Sequence, residues 1–106
     1  MSGPIVTVFR SRLRGDPDAG LGFGETADQM EASARAMPGF VDFKEFTAVD
    51  GERVALITFA SRDAHDAWRD DPEHRTAQAR GRAEWYETYT IQVCELVAER
   101  TFGRER

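Results

Sequence analysis

What most constrains this chain is the order in which its hydrophobic period changes along the sequence. An extended, β-branched run from Pro4 to Arg12 comes first and ends in alternation, with Phe9, Ser11 and Leu13 set against Arg10, Arg12 and Arg14. Gly15–Gly20 reads as a loop by composition. The period then becomes helical: Phe23, Ala27, Met30, Ala34 and Met37 recur on one face, with Glu25, Asp28, Glu31 and Arg35 on others. Thr26 with Gln29 matches a capping box, while Phe23 would belong to an earlier first turn. Pro38-Gly39 stops this helix. Phe40 to Val49 and Arg53 to Phe59 read as two strands joined at Asp50-Gly51, a hairpin signal. Ser61 is placed as an N-cap, with Ala64, Ala67 and Trp68 on one helical face. Asp71-Pro72 supplies a cap and a first-turn proline for a further helix over Glu73 to about Arg82. β-prone residues from Trp85 to Phe102 predict one long final strand. The order is therefore βαββ, two short helices, then β. It predicts an α+β fold, an antiparallel sheet with helices on one face. The other face is left uncovered, and if it is apolar, as Phe and Val on several strands suggest, a second copy is the economical cover.

Composition narrows the class. At 106 residues the chain makes one domain, with a core over about residues 4–98. It should bury roughly 65% of its unfolded surface, leaving little room for an enclosed pocket of several rings. Fourteen basic residues against 19 acidic ones give a net charge of −5, the wrong sign for a nucleic-acid module. Thirteen of the fourteen basic residues are Arg, which we read as the mark of a GC-rich bacterial genome. The apolar run Ile5–Phe9 lacks the positive flank and cleavage site of a signal peptide. No stretch approaches the roughly 18 apolar residues of a membrane span. A cytoplasmic protein without membrane contact is expected. The single cysteine, Cys94, has no partner for an internal disulfide and lies in the apolar-rich run Ile91–Val97, where a packed small hydrophobe is expected. Cys and His show no zinc spacing, so no metal is expected.

Five segments then follow one another in order: Pro4-Ile-Val-Thr-Val-Phe-Arg10, Met37-Pro-Gly-Phe-Val41, Asp50-Gly-Glu-Arg-Val54, Phe59-Ala-Ser-Arg-Asp-Ala-His-Asp-Ala-Trp68 and Pro72-Glu-His-Arg-Thr-Ala-Gln78. Together they resemble the antibiotic biosynthesis monooxygenase (ABM) family, from Pro4 to about Leu96. The resemblance implies a ferredoxin-like βαββαβ protomer whose sheet closes with that of a twin into a dimeric α+β barrel. It also implies a final strand reaching onto the other subunit and a pocket between helices and sheet. Members of the family oxidise aromatic polyketides and quinols without cofactor, or degrade haem, and many have no known activity, so fold does not settle reaction.

Against that background the candidate residues divide. Trp68 fits an ordinary core aromatic, and the resemblance adds a place on the pocket wall. His65 precedes Asp66 on a charged stretch and reads as solvent-facing. His74, in a helical first turn, is either a surface cap or a neutral imidazole able to accept a proton, since the helix dipole disfavours its cation. Gln78 shares its helical face with His74 and either donates to a ligand carbonyl or ties down a loop. Arg82, Trp85, Tyr86 and Tyr89 cluster where helix passes into strand, suited either to edge packing or to stabilising a phenolate or quinone oxygen. Tyr86 and Tyr89 differ by an odd number, so a regular strand allows one of them at most into a given pocket. His74 and Trp68 are the catalytic candidates, and Gln78, Arg82, Tyr86 and Phe9 the substrate-binding ones.

The haem-degrading branch uses a Trp on the middle helix, a His ligand on the next and an Asn on the first strand. Trp68 matches, but Gln78 stands where the His belongs, and Val8-Phe9-Arg10-Ser11 holds no Asn. His74 is one turn too early to substitute. Haem degradation is therefore set aside. The leading reading is a homodimeric, cofactor-free monooxygenase of a small phenolic or quinol substrate. There the deprotonated substrate itself reduces dioxygen, while the protein excludes water, orients the ring and stabilises the anion. The alternative is a dimeric small-molecule-binding or stress-related protein that holds an aromatic ligand without turnover.

Overall fold

Strand β1 (Ile5–Leu13) lies inside a four-stranded antiparallel sheet of order β2-β3-β1-β4, with β2 (Phe40–Thr47), β3 (Arg53–Phe59) and β4 (Tyr86–Glu95) around it. The computed structural model describes residues 3–15 and 23–104, apart from the side chain of Phe23; of the loop expected at Gly15–Gly20, everything from Asp16 on lies outside it. Helices α1 (Phe23–Ala36), α2 (Arg62–Arg69) and α3 (Pro72–Arg80) complete the ferredoxin-like α+β arrangement, and a five-residue π turn, Gly81–Trp85, leads into β4.

The alternation of β1 decides which face is inside. Ile5, Thr7 and Ser11 are buried and Phe9 is half-buried towards the helices, whereas Arg10 is exposed on the opposite face. Register carries this across the sheet: Ile5 opposes Phe59, Thr7 opposes Ile57 and Phe9 opposes Ala55. The core sits at the Ile5–Phe59 end, where Ala34, Ile57, Phe59 and Trp68 pack with Phe40, Phe43 and Met37 around them.

The helix ends follow the sequence. Ser61 accepts a hydrogen bond from the Ala64 amide at 3.1 Å, and Asp71 accepts from the amides of Glu73 and His74 at 3.0 and 3.2 Å. Gly39 ends the turn after α1 with φ of 81°, and a Cβ there would stand 2.6 Å from that of Ala64, so glycine is required on two counts. The β2–β3 loop closes through Ala48 N–H to the Glu52 carbonyl at 2.8 Å, with Gly51 at φ of 92°.

Several expectations need correction. Helix α1 starts at Phe23, in the earlier first turn, so Thr26 lies within the helix rather than at its N-cap. Strand β2 ends at Thr47 rather than Val49. β4 stops at Glu95, not near Phe102, because its in-sheet partner β1 runs out: Ile5 pairs with Glu95, and the Leu96 amide reaches the Pro4 carbonyl at 2.9 Å. Cys94 is exposed, since it pairs with Val6 on the face that no described helix covers. On α2 the inward stripe is Ala64, His65 and Trp68, with Ala67 exposed, so the helix is turned one residue from the stripe expected.

Candidate functional site

Small side chains open a space between helices and sheet. Thr7, Ser11 and Ala55 on the sheet face Ala27 on α1 and Ala77 on α3, and larger groups at those positions would fill the gap at ordinary packing density. The result is a cavity of about 360 Å³, within the usual range for small-molecule sites, in place of the cramped interior expected from chain length. Its wall is largely aromatic: Phe9, Phe43, Trp68, Trp85, Tyr86 and Tyr89 all line it.

Five of the six candidates meet here. Phe9, Trp68, His74, Gln78 and Tyr86 line the cavity, while Arg82 lines a separate surface depression with Arg14 and Glu87. Arg82 still touches the site indirectly, because its guanidinium donates to the Tyr89 hydroxyl at 3.1 Å. Tyr86 and Tyr89 both line the cavity, against the parity rule. The pairing explains it: Arg12 opposes Thr88 but Leu13 opposes Tyr86, so Glu87 is an extra residue and the bulge turns Tyr86 back to the helix side. Phe9 then contacts both rings, with centroids 5.5 Å from Tyr86 and 5.6 Å from Tyr89.

Trp68 is enclosed on several sides. Its ring lies 5.3 Å from Phe59, 4.2 Å from His74 and 6.2 Å from His65, centroid to centroid. Asp71 does the capping, so His74 is free of that task and packs half-buried on the indole. Its Nδ1 lies a long 3.4 Å from the Arg69 carbonyl, which can only accept, so the proton belongs on Nδ1 and Nε2 is the acceptor. Burial holds the His74 pKa below its ordinary 6.5, outweighing the upward pulls of that carbonyl and of Asp71, and the charge of a protonated His65 lowers it further. Burial raises the Tyr86 pKa above 10.0, so its hydroxyl remains a proton donor at neutral pH.

His65 was read as solvent-facing and is instead 4% exposed on the cavity wall. Its spacing of three from Trp68 on a helix was the signal for it. Thr7, two residues before Phe9 on β1, was legible by alternation in the same way. The Thr7 hydroxyl and the Trp68 indole N–H are buried and, among the described residues, have no hydrogen-bond partner. Each such orphan costs about 1–3 kcal/mol. The site therefore combines an apolar, aromatic enclosure with neutral imidazole, hydroxyl and amide groups. It is suited to a planar ring bearing one or two oxygens. Among the described residues no group of three or more His, Cys, Asp or Glu is placed to hold a metal ion.

The antibiotic biosynthesis monooxygenase family matches residues 5–80 of the chain. The uncharacterized protein YqjZ of Bacillus subtilis is 33% identical over 99 residues, 93% of this chain and 85% of that protein. Among solved structures, Rv0793 of Mycobacterium tuberculosis superposes with a TM-score of 0.78 at 24% identity, covering 92% of this chain and 99% of that one. SnoaB, a cofactor-independent oxygenase from Streptomyces nogalater, superposes with a TM-score of 0.74 at 19% identity, covering 97% of this chain and 100% of SnoaB. At such identities the structural likeness establishes the fold alone.

Proposed function

The chain belongs to the antibiotic biosynthesis monooxygenase family, and on that premise we propose that it is a cofactor-independent monooxygenase of a small phenolic or quinol substrate. The observation that carries this reading is the aromatic cavity in which a neutral imidazole, His74, packs 4.2 Å from Trp68. A substrate ring would lie between Phe9, Tyr86 and Trp68, with Gln78 donating to a ring oxygen and Arg82 acting through Tyr89. Loss of the phenolic proton leaves an electron-rich anion that gives an electron to dioxygen, so the protein's share is to exclude water, orient the ring and assist deprotonation. His74 and Trp68 form the catalytic pair of this reading. A homodimer in the cytoplasm belongs to the same reading; what supports the dimer is that the sheet face opposite the helices carries Val8, Leu56 and Phe46 with no covering element among the described residues.

The test is oxygen uptake by purified protein with a panel of dihydroxy-aromatic and anthrone substrates. Uptake above the buffer rate is expected for at least one of them, with His74→Ala and Trp68→Phe slower by about tenfold or more. Uptake at the no-enzyme rate across the panel would sink the oxygenase reading. Tight binding without turnover would then favour a carrier of aromatic ligands. A haem titration is expected to show no stoichiometric Soret shift.

A further inference from the structure

Two histidines, not one, flank Trp68 in this cavity, and their surroundings differ. His65, on α2, is 4% exposed, and it lines the cavity. Its Nδ1 lies 2.9 Å from Asp66 Oδ1. The same carboxylate oxygen pairs with Arg69 Nη1 at 3.3 Å. A carboxylate can only accept, so the arrangement puts the His65 proton on Nδ1 and leaves Nε2 as the acceptor. That second nitrogen has no hydrogen-bond partner among the described residues. His74, by contrast, has only a long contact to a neutral carbonyl behind it.

We propose that His65, oriented by Asp66, is the residue that takes the proton from a phenolic hydroxyl bound in the cavity, while His74 stays neutral beside Trp68. This rests on the reading of the cavity as a phenol site and assigns the proton within it. The step balances without a co-reactant. The phenolic O–H bond breaks, an N–H bond forms at His65 Nε2, and the electron pair stays on the phenolate oxygen. The imidazolium that results has the Asp66 carboxylate against its other nitrogen, as His74 does not. Burial holds the His74 pKa down first, and a charge on His65 adds to that in the same direction. Of the other charged groups, Arg69, Glu45 and Arg53 line the cavity, while Asp70 interacts electrostatically with His65 and Asp71 with His74. Glu45 and Arg53 pair with each other at 3.5 Å. Asp66 acts through His65 and is a positioning residue.

The probe is quinizarin, a dihydroxyanthraquinone already oxidised and therefore not turned over, whose colour changes on ionisation. Mixed anaerobically with the protein at neutral pH, where the free probe is neutral, it is expected to give a phenolate band saturating at one equivalent per site. His65→Gln is expected to bind the probe, seen as quenched tryptophan fluorescence, but to lose the phenolate band tenfold or more. Asp66→Asn, on a half-exposed residue, is expected to weaken the band and move its appearance to higher pH. A full band in His65→Gln with native circular dichroism overturns the proposal, as does an unshifted pH profile in Asp66→Asn. A normal phenolate band with no oxygen uptake on any substrate sinks the monooxygenase reading and leaves this assignment standing. Absence of probe binding to the wild-type protein removes the phenol site and with it both readings.

Discussion

At the cavity wall the state of one ring depends on what encloses it. The His74 imidazole is held below its ordinary pKa of 6.5, first by burial, so the folded chain binds fewer protons there than the unfolded chain does. Stability from this group is fully present above about 6.5, the unfolded value, and is lost as pH falls through the lower folded value. Asp50 and Asp70 also sit below their usual 3.8, each held by hydrogen bonds that include an arginine, but both are fully exposed and their contribution fades only in the more acidic range. The two windows are therefore separable. The melting temperature is expected to fall as pH is lowered from 7 towards 5, and His74→Gln is expected to flatten that part of the curve. Differential scanning calorimetry across pH 4.5–8 checks it. Equal slopes in both proteins between pH 5 and 7 would show that His74 is not the group responsible.

At the level of elements, both sheet edges break the period of two in the same way. On β2 the pairing shifts between Phe40 and Asp42, leaving Val41 as an extra residue, so Phe40 and Phe43 both turn to the helices. On β4 the extra Glu87 does the same for Tyr86 and Tyr89. Edge strands tolerate such bulges because one of their sides has no ladder to disturb. This is why strand order, caps and turns were legible while the site was legible only in part. Ser61, Asp71-Pro72 and Gly39 act locally, and Phe59 and Ile57 belong to a continuous apolar run that reads as a strand. Tyr86 with Tyr89 depends on a bulge that no local rule supplies, while the spacing of three between His65 and Trp68 turns both inward at only one roll of the eight-residue helix. The π turn before β4 gives a direct test. A Cβ on Gly81 would stand 2.6 Å from Tyr86 Cε2 and 2.9 Å from its Cδ2. Alanine would gain about 0.5–1 kcal/mol of helical backbone preference, but overpacking costs roughly 1–3 kcal/mol, and the Tyr86 ring is hemmed in by Phe9 and Tyr89. Gly81→Ala is therefore expected to be less stable in urea by about 1 kcal/mol and to bind quinizarin more weakly. A gain in stability with unchanged affinity would mean that the ring swings aside freely.

For the molecule as a whole, the sheet is two surfaces with different needs. Helices cover one. On the other, Val6, Val8, Val54 and Leu56 form a strip across β1 and β3, and Phe46 on β2 is 48% exposed beside it. The charges at one end of this strip are already matched, Arg10 to Glu52 at 2.9 Å and Arg12 to Asp50 at 2.7 Å, so they present little net charge to an approaching copy. Beyond the Leu96–Pro4 hydrogen bond the chain has no strand partner among the described residues, and Val97 and Phe102 stand 93% and 82% exposed. A second copy laid face to face would cover the strip. Light scattering at micromolar concentration is expected to give twice the chain's 11.9 kDa. Leu56→Arg puts an unpaired charge in the middle of the strip and is expected to shift the mass to that of one chain. Cys94 reports the same event independently, because it pairs with Val6 on this face and is exposed in a single chain. Its thiol is expected to react slowly with a bulky reagent in the wild-type protein and quickly in Leu56→Arg. A single-chain mass for the wild type, or equal Cys94 reactivity in both, would place the interface elsewhere or remove it.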